Sequence, residues 1–175
     1  MGDSKTIWTI GHSTRTQEEF IQLLKNAGIK NLADVRTYPG SKRFPHFNSE
    51  VLQNALAGEG IHYFHYKDLG GRKKPRPGSA NTAWRSEAFQ GYADHMETAE
   101  FMISIQKLEE MATIENTVYM CSEAVWWRCH RALISDYLKV RNWHVFHIME
   151  GGKITEHPYT SAATVVQGNL FYGVS

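Results

Sequence analysis

Thr117-Val-Tyr-Met-Cys121-Ser-Glu-Ala-Val-Trp-Trp-Arg-Cys129-His-Arg131-Ala-Leu-Ile-Ser-Asp-Tyr-Leu138 decides how the rest of the chain is read. Thr117 to Met120 is a short β-rich run, and Ala132 to Leu138 carries apolar residues at helical spacing. Between them lie two thiols, a carboxylate, an imidazole and two guanidiniums. In an open α/β sheet, ligands bind in the crevice outside the carboxyl ends of the strands. A helix start at that edge adds unpaired N–H groups and a positive dipole end, which favour a thiolate or a bound anion. Taken singly, Cys121 and Cys129 read as buried structural cysteines. Taken together with Glu123, His130 and Arg131 on one turn, they read as a site.

Working outward, Ile7-Trp-Thr-Ile10 is a first strand that exits through Gly11-His-Ser13. Thr16-Gln-Glu-Glu19 is a capping box for a helix that Gly28 ends. Ile29 to Arg36 forms a second strand, and the Pro- and Gly-rich segment 37–47 is irregular. Asn48 or Ser49 caps a second helix, and Ile61 to Tyr66 is a third strand. A basic loop runs from Gly70 to Arg85. Helical stretches cover Glu87 to Thr113 before the fourth strand, Thr117 to Met120. A helix from Cys129 to Val140 and a fifth strand from Trp143 to Ile148 complete the pattern. The Ser-, Thr- and Gly-rich tail after Gly152 reads as partly extended or mobile. Strands alternating with helices predict one Rossmann-like α/β domain with a mainly parallel sheet of about five strands and helices on both faces. Its core spans about residues 7–150, and 151–175 is a C-terminal extension.

The bulk properties fit this. A length of 175 residues suits one domain, and 42% hydrophobic content supplies a core. A net charge of +1 argues against a uniformly basic surface. No N-terminal stretch resembles a cleavable signal, and no apolar run reaches the roughly 18 residues of a membrane span. A cytoplasmic protein with reduced thiols is expected, without a disulfide, because the helix start should hold Cys121 and Cys129 apart. Two cysteines do not make a zinc framework. A metal held by His12, Glu123, Cys129 and His130 is conceivable but has no telling spacing, so neither metal nor cofactor is assigned. Oligomeric state is not legible.

The motifs Gly11-His-Ser13, Asp34-Val-Arg36, Pro45-His-Phe-Asn48, Leu69-Gly-Gly71, Cys121-Ser-Glu123 and Cys129-His-Arg131 occur in this order. In them the chain resembles the domain-of-unknown-function 488 family, over about Ile7 to Ile148. The resemblance implies that these positions share one fold and one site. It does not choose a reaction.

Three chemistries compete for that site. In the first, Glu123 is a catalytic carboxylate assisted by Asp34, with His130 nearby, and Arg36 and Arg131 hold an anion. That arrangement suits N-glycosidic hydrolysis of a nucleobase or nucleotide, free or within nucleic acid. His12 and Ser13 would line the cleft. Arg72, Lys73, Lys74, Arg76 and Trp84, with Arg43 in a second basic-aromatic patch, would engage a phosphate backbone or a base. In the second, Cys121 is the nucleophile of a rhodanese-like or phosphatase-like thiol enzyme, activated by Arg128, Arg131 and the helix start. Against it, Arg128 comes seven residues after Cys121 instead of six, and the loop holds Glu123 and two Trp rather than glycines. The third is a non-catalytic nucleic-acid-binding module. The sequence reading favours the first.

Overall fold

Side chains that alternate between two covered faces of a sheet build this fold. In β4 (Thr117–Cys121), Val118 and Met120 point to one face of the sheet, and Tyr119 and Cys121 to the other. On the first face they meet Phe20 and Leu24 of α1 (Gln17–Asn26) and Leu52 and Leu56 of α2 (Ser49–Ala57). On the second they meet α3 (Glu87–His95), α4 (Ala99–Ile114) and α5 (Arg131–Val140), through Tyr92, Phe101, Ile105, Leu108 and Leu133. The computed structural model describes residues 5–173. The remaining strands of the main sheet are β1 (Lys5–Gly11), β2 (Asn31–Asp34), β3 (His62–His65), β5 (Trp143–Ile148) and β6 (Ile154–Glu156). Their order is β3-β2-β4-β1-β5-β6. The pairs among β1 to β5 are parallel, and β6 adds an antiparallel edge. The protein is therefore a Rossmann-like α/β domain with helices on both faces of a mostly parallel sheet.

The caps follow the sequence. Thr16 accepts the Glu19 N–H at 3.1 Å and so starts α1. Asn48 precedes α2, yet its side-chain oxygen takes the Ser41 N–H and fixes the irregular loop instead. Two boundaries differ from expectation. The helix read from Cys129 starts at Arg131, because Cys129 is still extended and His130 is the cap residue. The tail is also more regular than its composition implies. Beyond β6, β7 (Thr164–Val166) and β8 (Asn169–Phe171) form a hairpin whose turn residues, Gln167 and Gly168, have φ of 50° and 76°.

The register places the exits of β1, β2 and β4 side by side. His12 N–H donates to the Cys121 carbonyl at 2.9 Å, Ser13 N–H to that of Ser122 at 3.0 Å, and Val35 N–H to that of Met120 at 2.9 Å. Among the described residues, no helix is long and apolar enough to cross a membrane.

Candidate active site

A cleft of about 670 Å³ opens over these exits. Its wall includes His12, Ser13, Arg36, Arg43, Arg72, Glu123, Arg128 and His130, and both cysteines line it as well. Of the residues singled out in the sequence, these ten come together at the strand ends. Asp34 and Arg131 lie just beneath the lining, and the rest of the basic loop points elsewhere.

Cys121 continues β4 on the α5 face, and Cys129 lies two residues before α5. The expectation that the helix start holds them apart is overturned: their sulfurs are 2.8 Å apart. The extended backbone at Cys129 folds the thiol back under the helix end rather than away from it. Both cysteines are free. Arg131, 1% exposed, organises the pair. Its Nε donates to Cys121 Sγ at 3.0 Å and its backbone N–H to Cys129 Sγ at 3.3 Å. A further guanidinium nitrogen donates to the Glu123 carbonyl at 2.7 Å. Gly11 makes that carbonyl's position possible, since a Cβ there would sit 1.6 Å from it. His130 donates through Nε2 to the Val35 carbonyl at 2.7 Å, which leaves Nδ1 as the acceptor facing Cys129 Sγ at 3.6 Å. Burial lowers the pKa of His130, so the ring is neutral.

Burial opposes ionisation of both thiols. It pushes Cys121 well up, and the hydrogen bond to Cys129 adds to that. At Cys129, the hydrogen bond from Cys121 and the Arg131 charge outweigh burial and bring the thiol down to about 7. The pair therefore holds one thiolate near neutral pH, centred on Cys129. The thiol-enzyme alternative read from the sequence takes Cys121, not Cys129, as its nucleophile.

Arg131 is also the head of a buried chain. It donates to Thr9 Oγ1 at 2.8 Å, and Thr9 reaches His147 Nδ1 at 2.7 Å. His147 Nε2 meets His157 Nδ1 at 2.8 Å, and His157 Nε2 meets Asp136 Oδ1 at 2.8 Å. Because Asp136 can only accept, His157 donates to it through Nε2. Asp136 also takes the Thr160 N–H and hydroxyl and the Tyr172 hydroxyl, tying the C-terminal tail to the site. Trp126 stacks on His147 with centroids 4.6 Å apart. Burial and the neighbouring His157 and Arg131 lower His147 to about 2, so it stays neutral. Sequence reasoning missed this chain. The available signal was that His147 shares the buried face of β5 with Trp143 and Val145.

The carboxylates are placed differently from one another. Asp34, 0% exposed, has both oxygens occupied. Oδ1 accepts the Arg36 backbone N–H at 3.1 Å and Nε at 2.9 Å, and Oδ2 accepts from the Arg36 guanidinium at 2.7 Å and from the Tyr63 hydroxyl. Arg36 also donates to the Phe47 carbonyl at 2.8 Å, so the Asp34–Arg36 pair braces the floor. Glu123 is exposed at the rim. His12 stacks on Phe47 at 4.4 Å, and burial lowers it to about 4, so it is neutral too.

The basic segment divides. Arg72 lies over the Tyr38 ring at 5.4 Å and Arg43 over Phe44 at 5.3 Å, both on the cleft mouth. Arg76 pairs with Glu97 at 3.0 Å, while Asp94 accepts its N–H and the Ser79 and Asn81 side chains. Lys73 and Lys74 pass closely over Gly91 of α3, where a Cβ would lie 2.4 Å from the Lys73 carbonyl. Trp84 packs against Phe89 and Tyr172, with centroids at 5.1 and 5.4 Å. Its ring covers the core and offers no stacking platform at the cleft, since tertiary packing claims it. Among the described residues, no group of three or more His, Cys, Asp or Glu side chains is placed to hold a metal.

A parallel α/β sheet with a thiol pair and a buried arginine at its carboxyl edge defines a class of strand-end sites. A family model described as "Domain of unknown function DUF488" matches residues 16–138, and the chain belongs to that family. The match runs from the cap of α1 to Leu138 of α5 and so includes both thiols and Arg131. Comparison with curated proteins and with solved structures gives no match.

Proposed function

We propose that this protein is a thiol-dependent enzyme that attacks an anionic electrophile with the Cys129 thiolate. The observation that carries the reading is the Cys129 sulfur on the cleft floor. It is 3.3 Å from the first N–H of α5, with the Arg131 charge beneath it. These are the surroundings that lower a thiol pKa and raise its nucleophilicity at neutral pH. The thiolate forms a bond to the electrophilic atom, and the leaving group departs with its bonding pair. Arg43, Arg72 and Arg128 at the mouth supply the charge that gathers an anion. A thiol held reduced in this way belongs in a reducing compartment such as the cytoplasm.

Carboxylate-assisted N-glycosidic hydrolysis is supported less well. It needs a second carboxylate free to act, and both oxygens of Asp34 are saturated. A nucleotide or nucleic-acid substrate nevertheless keeps support from the Arg72–Tyr38 and Arg43–Phe44 pairs, since Tyr38 is 66% exposed and can stack on a base. Alkylation by iodoacetamide across pH tests the nucleophile. Modification should fall on Cys129 with a midpoint near 7, and Cys129→Ser should remove it. Reaction only around the ordinary thiol value of about 8.5 would overturn the proposal.

A further inference from the structure

Two thiols in contact at the base of one cleft are more than a single nucleophile requires. For a carbon or phosphorus electrophile the second thiol achieves nothing, because attack by Cys121 on a thioester or thiophosphate merely passes the group from one sulfur to the other. It becomes productive when the intermediate carries a sulfur–sulfur bond. We infer that the site is an attacking and resolving dithiol, with Cys129 attacking an anionic disulfide and Cys121 resolving the product. This rests on the reading of Cys129 as the nucleophile and names its substrate class.

The steps balance without a further reagent. Cys129 S⁻ attacks one sulfur of R–S–S–R′, giving the mixed disulfide Cys129–S–S–R and releasing R′–S⁻. Cys121 then loses its proton and attacks Cys129 Sγ, which forms the Cys121–Cys129 disulfide and releases R–S⁻. The substrate disulfide is reduced by two electrons, and the protein dithiol is oxidised by two. An external thiol, or a second dithiol protein, returns the site to its starting state.

The geometry supplies both steps. Cys121 Sγ is 2.8 Å from the sulfur it must attack and needs no rearrangement of β4 to reach it. Arg131 contacts both sulfurs, one through Nε and the other through its backbone N–H. While Cys129 is the thiolate, it satisfies that buried cation. Once Cys129 is bonded to the substrate sulfur it no longer carries charge, and Cys121 becomes the sulfur whose ionisation the cation favours. The attack of the first thiol thereby activates the second. The substrate's charge follows from the cleft: Arg43, Arg72 and Arg128 stand on its mouth, and about 670 Å³ accommodates a group of several heavy atoms on the leaving sulfur. A hydroperoxide, small and uncharged, would leave those cations without a role.

Dithiobis(nitrobenzoate), an anionic aromatic disulfide, is the probe, followed by absorbance and intact mass at neutral pH. The folded wild-type chain should release two equivalents of the coloured thiolate and finish lighter by two hydrogen atoms, with no adduct. Cys121→Ser, with Cys121→Ala as a second variant, should release one equivalent and keep one adduct on Cys129. Rapid release of the first equivalent followed by a persistent wild-type adduct, or by adducts on both cysteines, would overturn the dithiol inference while leaving Cys129 a nucleophile. A first release no faster than that of an unfolded control would overturn the nucleophile itself. Because the decisive reading is made on the wild-type chain, it does not depend on any variant folding.

Discussion

Replacing Arg131 with Gln should separate the charge beneath the thiols from the rest of the site. The guanidinium lies 3.0 Å from Cys121 Sγ through Nε and is spread over three nitrogens, so its charge is on average about 4 Å from the shared thiolate. At that separation and an effective dielectric of about 20, the attraction is worth about 4 kcal/mol. At about 1.4 kcal/mol per pKa unit this is an upper limit of about 3 units, so Cys129 should rise from about 7 into or beyond the ordinary thiol range. Reactivity will not fall by the full factor, because a more basic thiolate is intrinsically more nucleophilic, with a Brønsted slope of about 0.4–0.5. The net expectation is an alkylation rate lower by about 15- to 30-fold at pH 7, where wild type is itself about half ionised, and higher than wild type above about pH 9. Rates of iodoacetamide labelling at Cys129, measured from pH 5 to 11 on protein whose near-ultraviolet dichroism shows an intact fold, give both numbers. Arg131→Lys, which keeps the charge but loses the fork of donors, should fall between the two. A crossing pair of profiles supports the argument. Superimposable profiles for wild type and Arg131→Gln would show that the thiolate does not depend on this cation.

Acid should destabilise the fold before its carboxylates titrate. His147 is held neutral with a pKa of about 2 and His12 of about 4, against 6.5 for the unfolded chain, so the unfolded state binds more protons below 6.5 and stability falls as pH drops through that value. For His147 alone the loss by about pH 4.5 is on the order of 2–3 kcal/mol, and a urea midpoint unchanged between neutrality and that pH would contradict it. Gly11→Ala should cost at least about 3 kcal/mol, since its Cβ would collide with a carbonyl that Arg131 holds in place. Equilibrium unfolding at wild-type stability would show that the Glu123 loop yields freely. Arg43→Ala with Arg72→Ala should weaken binding of short oligonucleotides and reduce its salt dependence, whereas Arg76→Ala, paired with Glu97, should do little. Anisotropy titrations at several salt concentrations decide this, and equal effects from Arg76 would move the binding face off the cleft.

The parts of the fold that could be read from the sequence are those with strong periodicity over a short range. Val118, Tyr119 and Met120 alternate between two buried faces, and α1 carries Thr16 at its cap, so strand and helix were recognisable from neighbours alone. The tail strands were not, because each is only three residues long and largely exposed, and pairing rather than composition makes them regular. The convergence of strand exits was legible because a parallel sheet brings its carboxyl ends to one edge. What each side chain does there was not. Asp34 and Arg36 are two residues apart in the sequence, yet only the fold shows that Tyr63 occupies the same carboxylate and that Phe47 closes over the pair. Trp84 sits within a basic run that resembles a nucleic-acid loop, and Tyr172, far along the chain, draws it into the core.

Arg131 explains why those separate elements belong to one device. A guanidinium buried to this degree stays charged, and desolvation makes an unpaired charge costly. Among the described residues, no carboxylate touches it. Its contacts are two sulfurs, the Glu123 carbonyl and the Thr9 hydroxyl, and the anion of Asp136 is reached only through Thr9, His147 and His157. Three groups separate that anion from the guanidinium, so the relay orients the cation more than it neutralises it. Neutralisation therefore falls to the thiol pair, and the fold gains stability when one sulfur ionises. The direction of linkage agrees: a thiol brought from 9.0 to about 7 contributes stability that is complete above 9.0 and is lost as pH falls through 7. The thiol pair is thus ionised for a structural reason, independently of any ligand. Tyr172 and Thr160, by holding Asp136, make the C-terminal tail part of the hydrogen-bond network that aims the cation at the sulfurs.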